Sequence, residues 1–180
     1  MSLLESFKKL GNYFGAYKVH LCPEVKGQVS ENDKPLINAK IERLLCFSDG
    51  KHVENYVYTD DKGGFSFPEA NIRSNQPAVP FAELFTSQII TLIYEGTKYI
   101  LWTSRLSGTR YRNEYAKKLS CLKADISDEK VSFFFRNDEV EGYKLSAGGI
   151  ARWDEDFEVI DLDSYYGLSE IESDDEECQS

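Results

Sequence analysis

Histidine is scarce in this chain, with His20 and His52 the only two among 180 residues. His20-Leu21-Cys22 is the closest pair of soft metal ligands. A closed zinc site takes four such ligands. The other cysteines, Cys46, Cys121 and Cys178, are scattered, and none forms a Cys-x-x-Cys pair. The pair therefore reads as strand residues facing inward, and no metal or other cofactor is expected. Nucleophilic catalysis would need one of the two histidines to meet a hydroxyl or thiol from elsewhere in the fold. Ser107-Gly108-Thr109 and Ser146-Ala147-Gly148-Gly149 are small-residue loops with no base beside them. Asp60-Asp61 offers paired carboxylates, but Lys62-Gly63-Gly64 follows, and that composition is a capped turn. The Gly-x-Ser-x-Gly, His-Glu-x-x-His and phosphate-loop patterns are absent. No catalytic residue is assigned, and the expectation is a protein that binds rather than an enzyme.

Charge is the stronger signal. Arg152 is the last basic residue; the 28 residues after it hold 12 acids and no base. The whole chain is −10, which leaves residues 1–152 at +2. The acidity belongs to one segment and not to the fold. Up to about residue 168, aromatic and aliphatic residues interrupt the acids, so this part is able to dock or to pair as a strand. Glu172 to Ser180 holds no large apolar residue and is expected to be disordered. Complementary charge speeds association with a basic partner, and Trp and Tyr are favoured interface anchors. The candidate partner-binding residues are Trp153, Asp154, Glu155, Asp156, Glu158, Asp161, Asp163, Tyr165 and Tyr166. Arg105 to Lys118 sets five basic residues around Tyr111 and Tyr115. It has the composition to contact nucleic acid, or to receive the chain's own acidic segment. The acidic balance favours the second, and direct nucleic-acid binding is not expected.

The elements that must position these residues read as mainly β. In Asn38 to Phe47, Ala39, Ile41, Arg43, Leu45 and Phe47 share one face, and Lys40, Glu42, Leu44 and Cys46 the other. Period-two alternation of this kind marks a half-buried strand. Val25, Gly27 and Val29 form a shorter strand, and Glu31 to Pro35 a turn. Val53 to Thr59 is rich in Val and Tyr, which suit a pleated surface. Gln88 to Tyr94 and Lys98 to Thr103 flank Glu95-Gly96-Thr97 as a hairpin. Cys121 to Ile126 and Val131 to Arg136 read as another strand pair, whereas residues 69–80 and 142–149 read as loops. Residues 2–17 place Leu3, Leu4, Phe7, Leu10 and Phe14 at helical spacing, predicting an amphipathic helix packed on the core.

Gly27-x-Val29, Ala39-Lys40-Ile41 and Thr59-Asp60-x-x-Gly63-x-Phe65-x-Phe67 resemble the transthyretin-like, carboxypeptidase-regulatory-like β-sandwich. Gly64 stands between the matching Gly63 and Phe65. The resemblance covers residues 25–68 and implies a transthyretin-like antiparallel β-sandwich, a fold used by stabilising, adhesive and binding modules. One branch of that superfamily hydrolyses 5-hydroxyisourate with histidines, an arginine and a C-terminal Tyr-Arg-Gly-Ser. This chain ends Glu177-Cys178-Gln179-Ser180, so that activity is not implied.

The expected organisation is an N-terminal helix over residues 1–18, a sandwich domain with additions over 19–168 and an acidic tail over 169–180. The apolar runs are far shorter than a membrane span. Charges interrupt the first ten residues where a secretory signal would be apolar. A cytoplasmic location is expected, with Cys22, Cys46 and Cys121 as buried thiols and Cys178 exposed. The functional expectation is a non-catalytic binding protein, in its most concrete form an immunity protein that neutralises a cognate antibacterial toxin. The alternative is an accessory module of an envelope or secretion apparatus.

Overall fold

The computed structural model describes residues 15–161. In chain order the strands are β1 (Tyr17–Cys22), β2 (Val25–Glu31), β3 (Lys34–Pro35), β4 (Lys40–Phe47), β5 (His52–Tyr58), β6 (Gly64–Phe67) and β7 (Ala70–Ser74). Then come β8 (Phe85–Tyr94), β9 (Thr97–Ser107), helix α1 (Asn113–Leu119), β10 (Leu122–Asp125), β11 (Val131–Arg136), β12 (Lys144–Gly149), β13 (Ala151–Arg152) and β14 (Glu158–Ile160). A seven-stranded antiparallel sheet runs β14-β11-β12-β9-β8-β4-β5. In a five-stranded sheet β2 is central, with β10 parallel on one edge, β6 and β3 antiparallel on the other, and β13 beyond β10. β1 and β7 pair as a separate ribbon.

The alternation in β4 is the one its sequence predicts. Ile41, Arg43, Leu45 and Phe47 are buried, and their neighbours are half-buried on the other face. One core cluster draws on all three sheets, including Val19 and Leu21 of β1, Val25 and Val29 of β2, and Phe65 and Phe67 of β6. Burying each such side chain contributes about 1.5–3 kcal/mol.

The two motif glycines have separate causes. A Cβ on Gly27 would lie 2.4 Å from the Phe65 ring, so its absence lets that ring rest on β2. Gly63 has φ +73°, and a Cβ there would lie 2.3 Å from the Val29 carbonyl oxygen. Asp60 Oδ1 accepts from the Lys62 and Gly64 amides, both at 2.8 Å, so this carboxylate caps a turn. Those bonds hold Asp60 below the usual carboxylate range.

The structure departs from the sequence reading in several places. Gly15 and Ala16 form a bend and Tyr17 opens β1, so the predicted helix does not reach residue 17; its residues 2–14 lie outside the described residues. Residues 69–80 contain β7 and a short 3-10 turn (Gln76–Ala78), and β12 occupies most of 142–149. β10 and β11 are both strands but do not pair, because β10 lies in the five-stranded sheet and β11 in the seven-stranded one. Cys22 is buried, Cys46 half-buried and Cys121 exposed. Cys22 sits so deep that burial pushes its thiol up to about 11.

Candidate partner-binding surface

The acidic segment is held in place from within. Trp153 is half-buried, with its ring 5.8 Å from Trp102 and 5.3 Å from Phe133. Its indole N–H donates to the Lys118 carbonyl at 3.1 Å. Phe157 lies 4.6 Å from Phe133. Trp102, at the centre of this aromatic group, is fully buried and donates to Gln88 and Ser104, while Gln88 donates to the Leu21 carbonyl. The buried polar groups of that network are therefore paired, as a stable core requires.

Helix α1 supplies the clamp. The Lys118 side chain is only 7% exposed, and its ammonium donates to the carbonyls of Glu155 at 2.9 Å and Asp156 at 2.5 Å. It lies 5.3 Å from the centre of the Trp153 ring and 5.8 Å from that of Phe135. Burial lowers the Lys118 pKa, and the Asp156 carboxylate at 3.7 Å opposes that shift. Glu114 is buried and accepts the Asp138 amide at 3.0 Å. Arg112 pairs with Glu139 at 2.5 Å and Lys117 with Asp138 at 2.8 Å. Tyr115 is buried against Trp102, and desolvation pushes its hydroxyl up to about 12. Within the basic stretch, Arg112 and Lys117 thus pair with acids of the β11–β12 loop, and Lys118 meets the acidic segment.

An open cleft of about 730 Å³ lies between the β11–β12 loop and the acidic segment. Phe134, Phe135 and Phe157 give it an apolar lining, and Tyr143 stands exposed at its side. Asp138, Glu141, Asp156 and Glu158 outnumber Arg136 and Lys144 around it. A hollow of about 280 Å³ beside it is lined in part by Glu155, Asp156 and Lys117.

Of the candidate residues, Asp154, Glu155, Asp156, Glu158 and Asp161 are exposed. Asp156 also accepts the Arg136 amide at 2.7 Å, and Glu158 of β14 pairs with Lys144 of β12 across the intervening β11. Trp153 points inward and ties the segment down. Asp163, Tyr165 and Tyr166 lie outside the described residues. The charge step in the sequence marked the segment but not the cleft beside it. Tyr143 and Arg136 belong to a loop and a strand end that carry no pattern of their own.

His20 lies elsewhere. Its ring is 4.8 Å from Tyr111, and Nδ1 is 3.3 Å from Asn71 Oδ1 and 3.5 Å from Glu69. Burial lowers its pKa, against the pull of Glu69. No hydroxyl or thiol is hydrogen-bonded to it among the described residues, and none of these residues form a metal-binding cluster. No described helix is long and apolar enough to cross a membrane.

Comparison with curated proteins gave no match, and neither did comparison with solved structures. A family model does match residues 25–129, from β2 to the turn after β10, more than half of the 180 residues and short of the acidic segment. By that match, the chain belongs to the family described as Domain of unknown function (DUF6795).

Proposed function

We propose that this chain is a non-catalytic binding protein that takes a basic protein partner on the acidic surface around β14. The observation behind the reading is the pairing of display and anchorage. Asp154 and Glu155 are exposed, while the backbone that carries them is tied to Lys118 and Trp153. An anchored charged surface loses little conformational entropy when a partner arrives. In its most concrete form the chain is an immunity protein that occupies the basic groove of a cognate antibacterial toxin, a nuclease among the candidates. Its scaffold is a transthyretin-like sandwich. The pairing of Gly27 with Phe65, and the placement of β2 and β4 in separate sheets, support that reading.

The test is co-expression with the product of the neighbouring gene, then binding measured across a salt series. The expected result is rescue from toxicity and a complex that weakens as salt rises. Asp154→Lys with Glu155→Lys should weaken it roughly tenfold or more, and more than removal of Glu172 to Ser180. Asp156 is left intact because its carboxylate also holds the Arg136 amide. Absence of both complex and rescue sinks the immunity reading.

A further inference from the structure

We propose that this chain pairs with a second copy of itself along β5, antiparallel and edge to edge. The proposal is independent of the reading of the acidic segment. It starts from a difference between the two ends of the seven-stranded sheet. β14 closes one end with three residues, and acids flank it. β5 closes the other with seven residues, in unbroken register with β4 from Cys46–His52 to Lys40–Tyr58. Its sequence, HVENYVY, contains no proline, glycine or lysine and one carboxylate, Glu54. Long, flat, weakly charged edges are what proteins guard against unless the edge is used.

The phase of the ladder gives the free groups. Phe47 N donates to the Lys51 carbonyl at 2.8 Å and Thr59 N to the Ala39 carbonyl at 3.0 Å. Alternation then assigns Val53, Asn55 and Val57 to β4, so Glu54 and Tyr56 direct their N–H and C=O groups away from it. No strand other than β4 pairs with β5 among the described residues. The side chains on this margin suit an interface. Tyr56 is 60% and Tyr58 55% exposed, with their rings 5.9 Å apart, edge to face.

A second copy fits for two reasons. Pairing centred on Asn55 uses the whole strand and sets Glu54 opposite Tyr56 of the other copy. A register centred on Glu54 would face two carboxylates, which is unfavourable. The second reason is where the charge sits. The protein is −10 overall, yet Asp154, Glu155, Asp156, Glu158 and Asp161 lie at the β14 end. That end is six interstrand steps from β5, about 29 Å at roughly 4.8 Å each. A Debye length of about 8 Å screens that separation. Pairing at β14 would instead press these acids together.

The test is sedimentation of the full chain over a dilution series, with hydrogen exchange at Glu54 and Tyr56. A species of twice 20.6 kDa that dissociates on dilution is expected, largely insensitive to salt. The two amides should gain protection as concentration rises. Tyr56→Pro and Glu54→Pro each remove an outward N–H and leave the β4 ladder intact. Either should give a folded monomer by circular dichroism, while Val159→Pro at β14 leaves the pair intact. Three outcomes overturn the proposal: a monomer at every concentration, a dimer that survives in a folded proline variant, or amides protected at every dilution. The last would mean that a segment of the same chain, such as residues 1–14, covers the edge. Should both proline variants unfold, exchange in the unmodified chain still decides.

Discussion

Asp125 shows how much one carboxylate can organise. Its oxygens accept the Ser30 hydroxyl at 2.7 Å, the Asn32 and Asp33 amides at 3.0 Å, and the Ser127 amide and hydroxyl at 2.9 and 2.6 Å. It thereby joins the β2–β3 turn, where Asn32 and Asp33 have positive φ, to the end of β10. Desolvation alone would raise its pKa, but the bonds from Ser127, Ser30 and Asp33 hold it well below the usual carboxylate range. A carboxylate depressed in the folded state stabilises it above the unfolded pKa of about 3.9, and that contribution is lost as pH falls through the folded value. Asp125→Asn should therefore cost about 2–3 kcal/mol at neutral pH. The gap to the unmodified chain should narrow below about pH 4, as read by urea unfolding at several pH values. Nothing in the sequence singles out Asp125, since its donors come from positions 30–33 as well as 127. Arg43 was better marked. Alternation places it inside, and there its Nε donates to Asn55 at 3.1 Å and Nη1 to the Pro68 carbonyl at 2.8 Å, with the guanidinium over Phe67.

At the scale of elements, legibility followed local signals. β4 and β5 show period-two patterns, and β8 and β9 meet at Glu95-Gly96, both with positive φ as a tight hairpin turn needs. β12 was missed because Ser146-Ala147-Gly148-Gly149 carries no large alternating side chain, although Gly149 must lack one, as a Cβ there would lie 2.2 Å from the Leu101 carbonyl oxygen. The β10–β11 pairing expected from the sequence does not form because proximity in sequence does not reveal a parallel partnership with β2, 95 positions away at Ala124 and Val29 in register but unannounced by any turn. The acidic segment's capacity to pair as a strand was legible, but the clamp from α1 was not. Lys118→Met should release that clamp at a cost of about 2 kcal/mol. Hydrogen exchange over residues 153–160 should then quicken while β8 and β9 remain protected. Equal quickening throughout would show that Lys118 supports the whole core and not this segment.

For the whole molecule, the family match and the physical unit have different limits. The match ends at residue 129, yet β11, β12 and β14 complete one end of the seven-stranded sheet. Trp102 within the match packs on Phe133, Phe135 and Trp153 beyond it. A chain cut to residues 25–129 would expose that ring and leave a new strand edge at β9. It should show no cooperative thermal transition, whereas residues 15–161 should melt in one step. A cooperative melt of the shorter piece would mean that the later strands are an accessory and not part of the core.

The opposite placement of β14 and β5 has a consequence for valency. Two copies joined at β5 would carry their acidic surfaces at the far ends of one continuous sheet, facing away from each other. Such a particle could hold two basic partners at once, or two sites on one partner whose spacing matched. Tethering then raises the effective concentration for the second contact, and avidity can exceed a single contact by roughly 10²–10⁴.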